Sequence, residues 1–184
     1  MDWPTLKETV ISLYDKLHTV HLEYFHVWKE AIVFTWRWWA ALALIVIPWI
    51  IWFSVRKRDS SDRLLYAGAV IAILASLMDM VGVTLHLWSY PVTVFPLMPS
   101  YVPFDLSALP VATMLWLQFL PKMKLVLKAL IYAAVGAFVF EPLCDWIGLA
   151  LQTWWLHILT FIMLFGLYHI AYWFSKRKNF NPVS

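Results

Sequence analysis

The sequence predicts an all-α fold: a polytopic membrane bundle of about five transmembrane helices, preceded by an N-terminal amphipathic helix. Three observations predict it. The 184 residues are 62% hydrophobic and only 14% charged, whereas a soluble domain averages about 45–50% apolar and about 25% charged. A soluble core of this length cannot bury so much apolar surface, so the excess must face lipid. Five apolar runs approach the roughly 20 residues a span requires. Finally, the basic residues gather in alternate connections between those runs.

The runs cover about 38–55, 64–88, 105–120, 126–147 and 153–174. Arg56-Lys57-Arg58 stops the first and Lys176-Arg177-Lys178 the last. Arg56, Lys57, Arg58 and Arg63 lie between runs 1 and 2, and Lys122, Lys124 and Lys128 between runs 3 and 4, with Lys128 just inside the latter. With the last cluster, they account for ten of the 14 basic residues; connections 89–104 and 148–152 hold none. Under the positive-inside rule, this alternation places the N-terminus outside and the C-terminus in the cytoplasm. The chain therefore divides into an extracytoplasmic or interfacial helix over 1–37, a transmembrane domain over 38–175 and a cytoplasmic tail over 176–184. Thirteen tryptophans and eight tyrosines fit interfacial belts; Trp36, Trp38, Trp39, Trp154 and Trp155 read as the outer one. The first long apolar run begins near Trp38, too late for a secretory signal peptide. Cys144 is the only cysteine, which excludes an intrachain disulfide.

Residues 4–35 read as the amphipathic helix. Thr5-Leu6-Lys7-Glu8 fits a capping box behind Pro4. Leu6, Val10, Leu13, Leu17, Val20, Tyr24, Trp28 and Ala31 recur at helical spacing, with acids and hydroxyls opposite. Such a helix lies on the outer surface or continues into span 1 as one bent helix. His18, His21 and His26 fall here. A zinc site is conceivable on paper, but no HExxH-type spacing supports it, and a solvated His-rich face is the plainer reading.

Ionisable residues at membrane depth carry the functional argument, because each costs at least about 2.5–3.5 kcal/mol to insert. Asp79 and His86 are seven apart on span 2, two turns along nearly one face, with Tyr90 continuing that stripe. Glu141 and Asp145 are four apart on span 4. By helical rise, Asp79 lies roughly 24 Å and Glu141 roughly 20 Å from the basic ends of their spans, in the outer half. Asp105 begins span 3, and His157 lies one turn into span 5. Pro142 and Pro110 each remove a backbone donor within a span. The segment 88–103 holds four prolines and almost no charge, so it reads as an extended loop resting at the outer interface or dipping inward.

Asp79, His86, Tyr90, Asp105, Glu141 and Asp145 are therefore the candidate ligand-binding set, lining a cavity under that loop. Glu141, Asp79 and His86 are the candidate acid–base groups. The structural alternative is hydration at the interface, which suits Asp105, Asp145 and His157, or pairing that fixes helix packing. Gln118 reads as an interhelical hydrogen-bonding residue, His169 as an interfacial histidine, and Arg37 as a snorkelling or counter-charge group.

No P-loop, dinucleotide fingerprint, GxSxG elbow or CxxC occurs, so no cofactor is predicted. The modest charge of +3 gives no reason to expect nucleic acid. Membrane lipid, a lipid-like small molecule and a homo-oligomer or larger complex are the expected partners. Absence of an internal repeat weighs against a monomeric transporter.

The residues Trp88-Ser89-Tyr90-Pro91, Asp105, Leu109-Pro110-Val111, Met114, Gln118, Phe138 and Glu141-Pro142 resemble a family of short multi-pass proteins of spore-forming Firmicutes. That likeness covers roughly 64–175. It implies a Gram-positive plasma membrane and supplies no activity. The Glu-Pro dipeptide also looks like the acidic motifs of membrane-embedded carotenoid and terpene cyclases, though the rest of their pattern is not recognisable. Small five-helix translocator proteins are similar in size and span count, without shared motifs. Three functions follow: a binder of an amphiphile or cation, an acid–base enzyme on a lipid or isoprenoid, and a structural subunit docking through the amphipathic helix.

Overall fold

The computed structural model describes residues 1–96 and 100–177; Pro99 and Lys178 lie outside them. The chain is almost entirely helical. Its helices are α1 (Trp3–Val27), α2 (Trp36–Val55), α3 (Ser61–Thr84), α4 (Leu109–Gln118), α5 (Leu125–Val135), α6 (Glu141–Trp146) and α7 (Leu156–Ser175). Strands β1 (Trp88–Ser89) and β2 (Leu151–Gln152) pair antiparallel, Trp88 opposite Gln152.

Four helical units are long and apolar enough to cross a membrane: Trp36–Val55, Arg58–Thr84, Leu125–Trp146 and Leu156–Ser175. They mark the chain as a membrane protein. The remaining pass is shorter, a six-residue π-helical segment Pro103–Ala108 continued by the ten residues of α4. It still traverses the bundle. At one end Gln118 accepts from Lys57 N (3.2 Å) and donates to Val55 O (3.2 Å), so α4 finishes level with the α2–α3 connection. At the other end Asp105 meets Asp79, far along α3. This short pass packs against α2, α3 and α7 and is the most deeply buried: Pro103, Asp105, Ser107, Pro110, Val111, Thr113, Met114 and Gln118 are all buried.

Five antiparallel passes give the bundle two chemically distinct ends. The connections at 56–60 and 119–124 and the end of α7 form a basic end. The β1–β2 clip and the segment after it form the opposite end, which carries the acids. At the basic end Lys128 is buried and donates to Leu117 O (3.1 Å) and Phe119 O, capping the C-terminus of α4. A cation at a helix C-terminus satisfies orphan carbonyls and complements the helix dipole.

Each membrane-depth proline predicted from the sequence sits beside a π-helical turn. Pro110 cannot donate to Leu106, inside the π-segment Pro103–Ala108, and Pro142 cannot donate to Phe138, inside the π-segment Gly136–Phe140. The wider turn accommodates the missing bond.

The N-terminal helix differs from the sequence reading in two respects. Its cap is Asp2, whose Oδ1 accepts from Thr5 N at 3.2 Å, not the Thr5–Glu8 box. It does not run into α2 as one bent helix. A π-turn over Trp28–Ile32 ends it, the chain reverses through Phe34 at φ 62°, and Thr35 caps α2 anew. No residue of α1 is buried, so Leu6, Val10, Leu13, Leu17 and Val20 remain exposed.

The proline-rich segment dips inward. Val92, Val94 and Tyr101 are buried, and Val92 and Val94 pack with Ala41, Cys144 and Leu149. Tyr24, Trp28 and Trp38 fasten this segment from the N-terminal side: Tyr24 Oη lies 2.9 Å from Thr93 Oγ1, and Trp28 and Trp38 donate to Thr93 O and Val94 O.

Candidate functional site

At the acidic end of the bundle, α3 brings Asp79 under the proline-rich segment. Its Oδ1 accepts from Trp88 Nε1 and Tyr90 Oη, both at 2.7 Å, and its Oδ2 accepts from Tyr101 N at 2.7 Å. Asp79 is therefore saturated by donors from both halves of the segment it holds down. Gly82 makes room for this: a Cβ there would sit 1.9 Å from the Trp88 ring. Tyr90 and Tyr101 stack with centroids 4.1 Å apart and planes 7° apart.

Tyr90 reaches Asp79, but not along the helical stripe that the seven-residue spacing suggested. Helix α3 ends at Thr84, and His86 adopts a left-handed backbone with φ 57°. The reversal turns His86 outward, where it is exposed, while the chain folds back to return Trp88 and Tyr90 to Asp79. Asp79 and His86 are thus not neighbours in a common site.

Asp105 is 5% exposed, and its carboxyl meets that of Asp79. The Oδ2 of Asp105 accepts no hydrogen bond.

The second cluster forms on α6 and α7. Glu141 Oε2 accepts from Gln152 Nε2 at 2.9 Å and lies 3.2 Å from His157 Nδ1; the Thr160 hydroxyl also reaches the carboxylate. His157 Nε2 lies 3.6 Å from Asp145 Oδ2. One imidazole thus bridges the two acids that the i, i+4 spacing placed together. Gln152 is delivered by β2, opposite Trp88 of β1, so the two-stranded clip ties one acidic cluster to the other.

Between the clusters lies a cavity of about 470 Å³, within the roughly 300–1,000 Å³ of small-molecule sites. Asp79, Trp88, Tyr90, Phe104, Asp105, Phe140, Glu141, Gln152 and Thr160 line one part of it. Apolar residues, including Leu44, Ile51, Leu115, Ile131 and Leu164, line the rest. The lining contains three carboxyls and no Lys, Arg or His. Ile51 on α2, Ala112 on α4 and Val135 on α5 line it and are exposed, so the cavity opens sideways on the apolar outer surface of the bundle beside α4. Pro48 of α2, which cannot donate to Leu44 O, also faces it.

Of the sequence candidates, Asp79, Tyr90, Asp105 and Glu141 line this cavity; Asp145 stands behind it through His157, and His86 lies apart. His18 and His21 are exposed along α1, and exposed His26 pairs with Glu30 at 3.2 Å. Among the described residues, no group of three or more His, Cys, Asp or Glu side chains is arranged to hold a metal. Sequence reasoning missed Gln152, Thr160, Pro48 and the clamping role of Trp88. Thr160 carried a weak signal, one turn beyond His157. Gln152 carried none, because only the β-clip aims it. Arg37 donates to Ile147 O at 2.9 Å and stacks on Trp36, away from the acids.

The chain matches no protein-family model, no curated protein and no solved structure.

Proposed function

We propose that this membrane protein binds a lipid-like amphiphile in the cavity, its hydrocarbon part along the apolar wall and its polar head at Asp105 and Glu141. The lateral opening carries this reading. A cavity whose mouth lies among the exposed apolar residues Ile51, Ala112 and Val135 of the bundle's outer surface offers a ligand dissolved in the membrane direct access. The polar end satisfies the head group, as ligand sites place a few polar groups in an apolar cleft.

The basic end is the cytoplasmic one, because Arg56, Lys57, Arg58, Lys122, Lys124, Lys176 and Arg177 gather there. The head group accordingly sits in the outer leaflet, and a plasma membrane is the expected location. Native mass spectrometry of protein released from the membrane tests the reading. Wild type is expected to retain an adduct of a few hundred daltons that Ala112→Trp, which fills the mouth, loses. Equal retention by both proteins would contradict it.

The Glu141–His157–Asp145 arrangement favours a second reading, an enzyme that acts on such a ligand by acid–base chemistry. Glu141 faces the cavity while His157 connects it to Asp145, as a proton donor with a positioned partner requires. Lipid extracts from cells carrying wild type or Glu141→Gln separate the readings. An altered profile supports the enzyme, and an unchanged one leaves the binder.

A further inference from the structure

We infer that the ligand is a single-chain amphiphile with a compact head, such as a long-chain alcohol, and not a two-chain bilayer lipid or a lipid with a large head; the inference rests on the amphiphile-binding reading above. Shape carries it, through three observations.

The first is that the polar end of the cavity is closed. Asp79, Asp105, Cys144 and Ala150 line it there and are buried, and Trp88 and Gln152 are half-buried. The proline-rich segment covers this end, with its own Val92, Val94 and Tyr101 buried, and the clip pairs Trp88 with Gln152. A head group at the acids is therefore enclosed. A large charged head, such as phosphocholine, would lose its water there, and burying a charge without full pairing is costly.

The second is the place of the mouth. Its exposed residues Ala112 and Val135 lie seven residues from Asp105 and six from Glu141, so it sits roughly 10 Å along the bundle from the acids by helical rise. Between the two levels the passes that flank the mouth close on each other. Phe104, ahead of α4, and Phe140, ahead of α6, line the cavity, and their rings meet edge to face with centroids 5.5 Å apart. The ligand's head must cross an apolar opening to reach the acids, and all hydrocarbon next to the head must lie in this closed stretch.

The third is size. The cavity of about 470 Å³ falls in the lower half of the roughly 300–1,000 Å³ that hold drug-sized molecules, which suits one chain and a small head. Its wall is already tight: Gly136 and Leu164 both line it, and a Cβ on Gly136 would stand 2.4 Å from Leu164 Cδ1. Close-packed walls of this kind resist the strain of admitting a second chain.

The test is native mass spectrometry of the full protein released from nanodiscs doped at equal mole fraction with oleyl alcohol, dioleoylglycerol or oleoyl lysophosphatidylcholine. Wild type is expected to retain oleyl alcohol about tenfold more than either other probe, as overpacking penalties imply, and Ala112→Trp is expected to lose it. Phe140→Ala, which widens the closed stretch, is expected to raise retention of dioleoylglycerol several-fold, a gain that a misfolded variant does not give.

If wild type retains dioleoylglycerol as well as oleyl alcohol, the single-chain assignment is overturned and the amphiphile cavity stands. Equal retention of oleoyl lysophosphatidylcholine overturns the compact head in the same way. Unchanged dioleoylglycerol retention in Phe140→Ala contradicts the closed stretch as the cause of selection. If none of the three is retained, the amphiphile reading itself falls and this inference with it.

Discussion

The two ends of the bundle use polar side chains in opposite ways. At the basic end, Gln118 and Lys128 are buried, and the structure engages them with backbone: Gln118 with Val55 and Lys57, Lys128 with the last carbonyls of α4. At the acidic end, Asp79 is consumed in the same manner, but Asp105 and Glu141 line a cavity, and Asp105 Oδ2 has no hydrogen-bond partner. The basic end is thus organised to close a bundle, and the acidic end to close a bundle and leave something over. Chemistry at membrane depth does not identify a site by itself. What distinguishes the acidic end is polar capacity beyond that used by the fold.

That contrast is breakable by substitution. The largest effect is expected at Asp79. Asp79→Ala strands the Trp88 indole, the Tyr90 hydroxyl and the Tyr101 N–H together, and loss of bonds to a charged acceptor at about 1.5–3 kcal/mol each, partly compensated by relaxation, predicts a stability loss of about 4 kcal/mol. Thermal unfolding in nanodiscs reads it. A loss below about 1 kcal/mol would show that the proline-rich segment is held by its apolar contacts alone.

Gly82→Ala should come next. Its Cβ would overlap the Trp88 ring, and overpacking of this kind costs about 1–3 kcal/mol. In a Trp88→Phe background the penalty should shrink, because the smaller ring can withdraw. A double-mutant cycle on unfolding midpoints checks this, and additivity of the two changes would place the strain elsewhere.

Lys128→Met removes the cap from α4 and is expected to cost about 1–2 kcal/mol while leaving ligand binding unchanged, since the Lys128 side chain caps α4 and does not line the cavity. A change in ligand affinity equal to that of an acidic-end variant would erase the distinction between the ends.

Asp105→Asn sits last. Its amide can donate to Asp79, so stability should move by less than about 1 kcal/mol. This smallest structural effect, paired with a large binding effect, is the signature of a group the fold does not need. An unfolding penalty as large as that of Asp79→Ala would make Asp105 structural.

The sequence made the bundle legible because its cause is local: apolar length and alternating basic residues need no tertiary knowledge. The five passes, the short third one and the gathering of basic residues at one end all followed from counting. The site was legible in part. Helical spacing correctly joined Glu141 to Asp145, because α6 is helical between them. It failed for Asp79 and His86, because α3 stops at Thr84 and the left-handed His86 ends the periodicity. Tyr90 came to Asp79 for a reason the stripe did not contain, the return of the chain along β1. Likewise Gln152 is aimed by a two-residue ladder between connections remote in sequence, which no window along the chain reveals. The amphipathic period of α1 was read correctly, but period does not state what covers the apolar stripe.

The central claim is that the lateral cavity holds a hydrocarbon chain with its head at the acids. It is tested most directly by a photoactivatable alkylamine carrying a diazirine at mid-chain, crosslinked in nanodiscs and mapped by peptide mass spectrometry. The account predicts labelling of cavity-wall residues such as Leu115, Ile131 and Leu164, suppressed by Ala112→Trp. Labelling confined to exposed residues of the outer surface such as Ile50, Ile73 and Ile162, and indifferent to Ala112→Trp, would contradict it.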